Sequence, residues 1–223
     1  MPKTLFITGA STGIGAATAR AAVKAGWNVG LMARSADKLD TLTAELGDAA
    51  LALSGDATDL AAQQDAVRRT VDRFGALDAA FANAGTGLDK PGTEGGDPEE
   101  WRKLVDLNVM GVLYTARAAL PELRKTRGHL LLTGSAAGRN HIKGSIYSAS
   151  KWFVHGYAGN MSEEMRDWGG RCTLISPGMV DTPFFDEAKP DKLQPEDVAR
   201  AAVFALEADP RCSVNEVFLM PTQ

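Results

Sequence analysis

Tyr147 and Lys151 stand four residues apart in the stretch YSASKWFVHGYAGNM. On a helix, positions i and i+4 share a face, so the two side chains project into one space. Two readings fit that spacing. It is one turn of a packed helix, or it is a phenol with an ammonium set beside it. A free tyrosine titrates near pH ~10 and is a poor base at neutrality. A nearby ammonium favours the phenolate, and each unit of lowering is worth about 1.4 kcal/mol. A tyrosine tuned that way gives a proton to a neighbouring oxygen or takes one back. Burial separates the readings: a buried tyrosine needs only packing, but a buried Lys151 needs something anionic or strongly polar against its ammonium.

The surrounding sequence supplies elements able to place such a pair. Apolar runs read as strands at Thr4–Thr8, Val29–Met32, Ala50–Leu53, Leu77–Asn83, Leu130–Thr133, Cys172–Ser176 and Val217–Met220. Helical patterns lie between them at about 13–25, 36–46, 59–74, 98–126, 148–168 and 195–208. Strand–helix alternation implies parallel pairing with right-handed crossovers. The strand runs are continuously apolar, as when helices cover both faces of a sheet. The expected fold is α/β: one doubly wound parallel sheet of about seven strands within a single domain spanning 1–223. Two irregular stretches, 85–97 and 183–194, each follow a strand and belong at the carboxyl edge of the sheet, where such folds bind ligands.

On the helix at 148–168, Val154, Ala158, Met161, Met165 and Trp168 form a stripe that needs no function and reads as core. Phe153 and Tyr157 add a second apolar line, enough for another subunit to cover.

Composition narrows the role. With a net charge of −4 and a pI near 5.4, nucleic acid is a poor candidate partner. No apolar run approaches the ~18 residues of a membrane span. The opening MPKTLFITGA lacks the pattern of a signal peptide. Cys172 and Cys212 read as reduced thiols, so a cytoplasmic location is expected. Neither cysteine has a second Cys or a His at ligand spacing, which argues against a metal site.

The first strand runs into TGASTGIG and then a helix. Gly9, Gly13 and Gly15 thus stand where a tight turn brings backbone close to a ligand and a helix N-terminus faces a pyrophosphate. An ordinary strand-to-helix loop is the plainer account, and the spacing Gly-x-x-x-Gly-x-Gly is not G-x-G-x-x-G.

Here the chain resembles the short-chain dehydrogenase/reductase family. Thr8 to Gly15 is similar to its T-G-x-x-x-G-I-G element. FANAG at 81–85, LNVMG at 107–111, TGSAAG at 133–138, YSASK at 147–151 and SPGMVDT at 176–182 follow in the family's order, and NEVFLMPT resembles its last strand. The resemblance implies hydride exchange with a nicotinamide dinucleotide. It makes Tyr147 the general acid/base, Ser135 the hydroxyl that holds the reacting oxygen, and Lys151 the group that tunes Tyr147 and meets the nicotinamide ribose. Asn108 becomes a helix kink that holds a water and links Lys151 to solvent. It also assigns cofactor contacts to Gly9, Ser11, Thr12, Gly13, Ile14, Gly15, Asp56, Ala57, Asn83, Ala84, Gly85, Pro177, Gly178, Val180 and Thr182, besides Tyr147 and Lys151. Dimers or tetramers paired through the two long helices are implied as well.

The second strand ends in LMARS. Ala33 stands where an acid would bind the 2′-hydroxyl of an adenosine ribose, and Arg34 follows. An acid would repel a 2′-phosphate, whereas a guanidinium grips one. NADP(H) is therefore the expected cofactor, with NAD(H) the alternative. A solvent-facing arginine is the competing account, and Thr12 stands where NADP-preferring relatives often carry a second basic residue.

The substrate is expected to be a small carbonyl compound or secondary alcohol, walled by Thr86–Leu88, Asn140–Ile142, Met179 and Phe184–Phe185. Two adjacent phenylalanines fit a modest apolar substrate. A dinucleotide-binding regulator or scaffold that lost catalysis is the rival from another class, though it has no use for a proton donor. A methyltransferase explains the glycine turn but not Tyr-x-x-x-Lys.

Overall fold

The computed structural model describes residues 2–89 and 92–222. Seven strands form one sheet: β1 (Thr4–Thr8), β2 (Asn28–Ala33), β3 (Ala50–Ser54), β4 (Ala79–Ala82), β5 (His129–Thr133), β6 (Arg171–Pro177) and β7 (Glu216–Leu219). Their order is β3-β2-β1-β4-β5-β6-β7, with every neighbouring pair parallel. The chain builds outward from β1 to β3, then crosses back to lay β4 on the other side of β1. That reversal opens a crevice at the carboxyl ends of β1 and β4.

The pleat of β1 splits the core. Leu5 and Ile7 enter one apolar cluster with Leu31, Phe81 and Leu131, while Phe6 enters another with Leu53, Leu130 and Leu132. The first is covered by α1 (Gly13–Lys24), α2 (Ala36–Leu46) and α7 (Pro195–Glu207), through Ala19, Leu39 and Ala202. The second is covered by α3 (Leu60–Phe74), α5 (Gly111–Thr126) and α6 (Ile146–Arg166), through Val67, Ala116, Val154 and Met161. The stripe Val154, Ala158, Met161 and Met165 is core, as its spacing predicts. Trp168 packs on that cluster from beyond the helix, and Phe153 remains 39% exposed. Among the described residues no helix is long and apolar enough to cross a membrane.

Most bounds shift by a residue or two, and three differences bear on the site. The fourth strand, expected over Leu77–Asn83, is shorter at both ends. The Asp78 carboxylate accepts from Thr4 N at 2.8 Å, and the Asn83 amide turns to the carbonyls of Thr8 and Gly9. The helix expected over 98–126 is broken into α4 (Pro98–Val105), a π-turn at Asp106–Met110 and α5. The helix expected at 148 begins at Ile146, because Ser145 caps it by accepting from Ser148 N at 3.1 Å. Tyr147 therefore lies within the first turn of α6. The stretch 85–97 includes Lys90 and Pro91, which fall outside the described residues.

His129, at the start of β5, gives the fold an acid sensitivity. The residue is 1% exposed, with Nε2 2.7 Å from Thr173 Oγ1 and Nδ1 without a hydrogen-bond partner among the described residues. Burial, reinforced by Arg171 and Lys3, pushes its pKa down to about 3. The unfolded chain takes up this proton near pH ~6.5, while the folded chain refuses it until near pH 3. Stability is thus complete above the unfolded value and falls as pH drops through that window. Between pH 7.5 and pH 5 the loss from this residue is about 2 kcal/mol. Urea unfolding at the two pH values should show a slope that His129→Gln removes. An unchanged slope in the variant would clear His129.

Candidate active site

At the glycine turn, backbone runs too close for side chains. A Cβ at Gly15 would lie 2.3 Å from Gly9 O, and one at Gly9, whose φ is +65°, would lie 2.8 Å from Ala84 Cα. Thr12 precedes α1 without a side-chain cap, so the N–H groups of the first turn keep their dipoles for a ligand. Ser11 and Thr12 are half-buried in the turn, and Ile14 leans back onto the core. Thr182, arriving from the loop after β6, comes near Gly13: a Cβ there would sit 3.2 Å from Thr182 Cγ2. Two segments far apart in sequence thus meet at the crevice.

Asn83 ties the strand ends together. Its Nδ2 donates to Thr8 O at 3.0 Å, and its Oδ1 accepts from Thr133 Oγ1 at 3.2 Å. Thr133 O in turn accepts from Lys151 Nζ at 2.9 Å. Lys151 is 5% exposed, and burial lowers its pKa to about 8. An ammonium has three donors. Among the described residues, Thr133 O is its one hydrogen-bond acceptor. A buried cation with spare donors beside Gly85, whose added Cβ would be 3.8 Å from Nζ, fits a ribose hydroxyl.

Ser135 caps a 3-10 turn at Ala136–Gly138, its Oγ accepting from Ala137 N at 3.1 Å. Its own O–H remains free to donate, and it meets the Tyr147 hydroxyl. Burial raises the Tyr147 pKa above the ordinary phenol value, while this contact with Ser135 pulls it back. The sequence expectation was the reverse, a tyrosine acidified by Lys151. The geometry explains the difference. Lys151 Nζ is drawn toward Thr133 O and lies 5.8 Å from the centre of the Tyr147 ring, so desolvation of the phenol outweighs its charge.

Asn108 sits in the π-turn, 1% exposed. Its Oδ1 accepts from Thr86 N at 2.8 Å, and its Nδ2 donates to Thr86 O at 2.9 Å and lies 3.3 Å from Ser150 Oγ. A π-turn stands at the position of the expected kink. The side chain, however, clamps the loop after β4, and Gly85 stands between it and Lys151.

Ala33 ends β2 and Arg34 follows it. Ala33 is nearly buried, while Arg34 is exposed and has no ion-pair or hydrogen-bond partner among the described residues. Asp56 Oδ1 accepts from Thr58 N and Thr58 Oγ1, both at 2.9 Å, in a turn on the same side of the sheet. Ala57 is buried, its carbonyl taken by Gln63 Nε2 at 2.7 Å. Pro177 ends β6, Gly178 N donates to Leu219 O at 2.7 Å, and Val180 is buried.

The family profile for short chain dehydrogenases matches residues 3–193. The chain belongs to the short-chain dehydrogenase family. An uncharacterized oxidoreductase of Staphylococcus saprophyticus is 37% identical over 228 residues, covering 98% of this chain and 97% of the relative. An alcohol dehydrogenase from the archaeon Thermococcus sibiricus, solved with 5-hydroxy-NADP, superposes with a TM-score of 0.91 at 30% identity, covering 100% of this chain and 97% of that one. A 3-ketoacyl-(acyl-carrier-protein) reductase from Brucella melitensis, solved with NADH, gives 0.89 at 27% identity, with coverages of 97% and 96%.

This short-chain dehydrogenase also positions its site through residues that sequence reasoning passed over. Thr8 Oγ1 accepts from Asn83 N at 3.1 Å, and Thr133 links Asn83 to Lys151. Ser148 Oγ lies 2.8 Å from Ala137 O and 3.0 Å from Asn140 O, docking the Ser135 turn onto α6. Ser150 Oγ donates to Tyr147 O at 2.7 Å. All sit inside the quoted stretches. Their signal was a hydroxyl at a position destined for burial, where it must find a partner.

Proposed function

We propose that this chain is an NADP(H)-dependent oxidoreductase that interconverts a carbonyl and a secondary alcohol, with Tyr147 as its general acid/base. The observation that carries the reading is the meeting of the Ser135 and Tyr147 hydroxyls one helical turn from a buried, under-bonded Lys151. The cofactor-binding domain is taken as 1–223, with 85–97 and 183–194 walling the substrate. The relatives solved with NADP-type and NADH ligands support nicotinamide use. The choice of NADP(H) rests on Arg34.

In this reading Gly9, Ser11, Thr12, Gly13, Ile14 and Gly15 receive the pyrophosphate. Asp56, Ala57, Asn83, Ala84 and Gly85 line the adenosine and ribose side, and Pro177, Gly178, Val180 and Thr182 close the nicotinamide side. A bound nicotinamide supplies the hydride. Tyr147 keeps its proton at neutral pH, since burial holds the phenol above its usual range, and gives it to the carbonyl oxygen. Ser135 donates to the same oxygen and fixes its approach. Lys151 holds the ribose and, with its pKa near 8, remains mostly charged at pH 7, so it supports the phenolate left behind. Asn108 keeps the loop at Thr86 in place beside them. The protein works in the cytoplasm as a homodimer or homotetramer. A non-catalytic binder would leave the Ser135–Tyr147 contact without a purpose.

The test couples turnover to binding. Purified protein should consume NADPH with small ketones. Lys151→Met should weaken NADPH binding by calorimetry as well as abolish turnover, because both tasks fall on one ammonium. A variant that loses turnover at unchanged NADPH affinity would take the ribose contact out of the scheme.

A further inference from the structure

Phe184 lies in the loop after β6, two residues past Thr182, whose Oγ1 accepts from Phe184 N at 3.4 Å. The tip of its ring rests on the backbone of Gly87 in the loop after β4. A Cβ built at Gly87 would stand 2.9 Å from Cζ and 3.3 Å from Cε1. The same ring is 5.7 Å, centre to centre, from the Tyr147 ring at an interplanar angle of 56°. Phe185 braces it edge-on, with centres 5.1 Å apart. One side chain therefore spans from the loop after β4 to the tyrosine and closes one side of the space beside the phenol. It is nonetheless 43% exposed, so it presents bare aromatic surface there.

We propose that Phe184 sets the upper size of the substrate next to Tyr147, favouring compact ketones with one flat apolar substituent, and that Gly87 is the position that lets the ring lie where it does. The proposal rests on the carbonyl–alcohol reading for the word ketone, though not for the placement of the ring. Gly87 is outside the left-handed region, so alanine is compatible with its backbone, and the added methyl can be accommodated only by moving the ring. A substrate group wider than the gap would have to do the same. A methylene-scale misfit in an apolar pocket is worth roughly 10- to 200-fold in specificity.

The experiment compares acetophenone with benzophenone in wild type, Phe184→Ala, Gly87→Ala and the double variant. It reads kcat/KM with NADPH and, independently of turnover, binding of each ketone by ligand-observed NMR. The benzophenone-to-acetophenone ratio should rise about tenfold or more in Phe184→Ala, because the wall is gone. It should also change by more than twofold in Gly87→Ala, because the ring must shift. The double variant should match Phe184→Ala, since the added methyl acts through that ring. A ratio within about twofold of wild type in Phe184→Ala, or failure of every variant to bind either ketone, overturns the proposal. Binding ratios that rise while no variant turns over would uphold the size limit and sink the carbonyl reading. Turnover with an unmoved ratio does the opposite.

Discussion

Tyr147→Phe is expected to leave the protein folded and able to bind NADPH while carbonyl reduction falls by about two to four powers of ten, the usual contribution of a positioned proton donor. The substitution removes one oxygen. The ring that packs against Phe184 stays, and the helix around it draws its stability from Val154, Ala158, Met161 and Met165. What disappears is the proton that the phenol carries and the oxygen that Ser135 meets. Single-turnover hydride transfer from NADPH separates this loss from product release. A variant reducing its ketone at close to the wild-type rate would show that another group delivers the proton.

Replacing Ala33 and Arg34 together, as Ala33→Asp with Arg34→Leu, should invert the cofactor preference. Arg34 is exposed at the end of β2 and unpaired among the described residues, so its guanidinium is available to a 2′-phosphate. A charge-assisted contact of that kind is worth about 1.5–3 kcal/mol, or roughly ten- to a hundredfold in affinity. The added aspartate repels phosphate and accepts from a free ribose hydroxyl, so the two changes work in opposite senses on the two cofactors. Arg34→Ala alone should cost NADPH binding and spare NADH. The check is kcat/KM with each cofactor for all three proteins. A wild type that already favours NADH, or an Arg34→Ala protein weakened equally toward both, would make Arg34 a surface residue only.

Strand and helix positions were legible because each signal is local: apolar runs for β1 to β7, and 3.6-residue stripes such as Val154, Ala158, Met161 and Met165; the order of the strands is set by the crossovers of the assembled sheet. The glycine turn, Ser135, Tyr147 and Lys151 were legible as a set through the family resemblance that their motifs carry in order; taken alone, Ser135 reads as an ordinary loop serine. The π-turn leaves a trace in the spacing of α4 and α5. Leu104, Asn108, Val112, Thr115, Ala119 and Leu123 are all buried, and this stripe spends nineteen residues on five turns where an ideal α-helix spends about eighteen. The extra residue is the bulge. The direction of the Tyr147 shift was not legible in principle. It turns first on how deeply the phenol is buried, and Lys151 Nζ does not offset that because it is drawn to Thr133 O, a main-chain atom whose position only the assembled sheet defines.

The Asn108 amide meets both main-chain groups of Thr86, as a neighbouring strand would, and its Nδ2 also faces Ser150 Oγ, which bonds the carbonyl of Tyr147. A helix side chain is thus impersonating a strip of sheet. Its demands on the genome are uneven. At position 86 only backbone is read, so mutation there can wander without touching this junction. At position 108 donor and acceptor must sit on one short planar group: aspartate lacks the donor, leucine lacks both, and glutamine is a methylene too long. Three stretches widely separated along the gene are in this way answerable to a single codon.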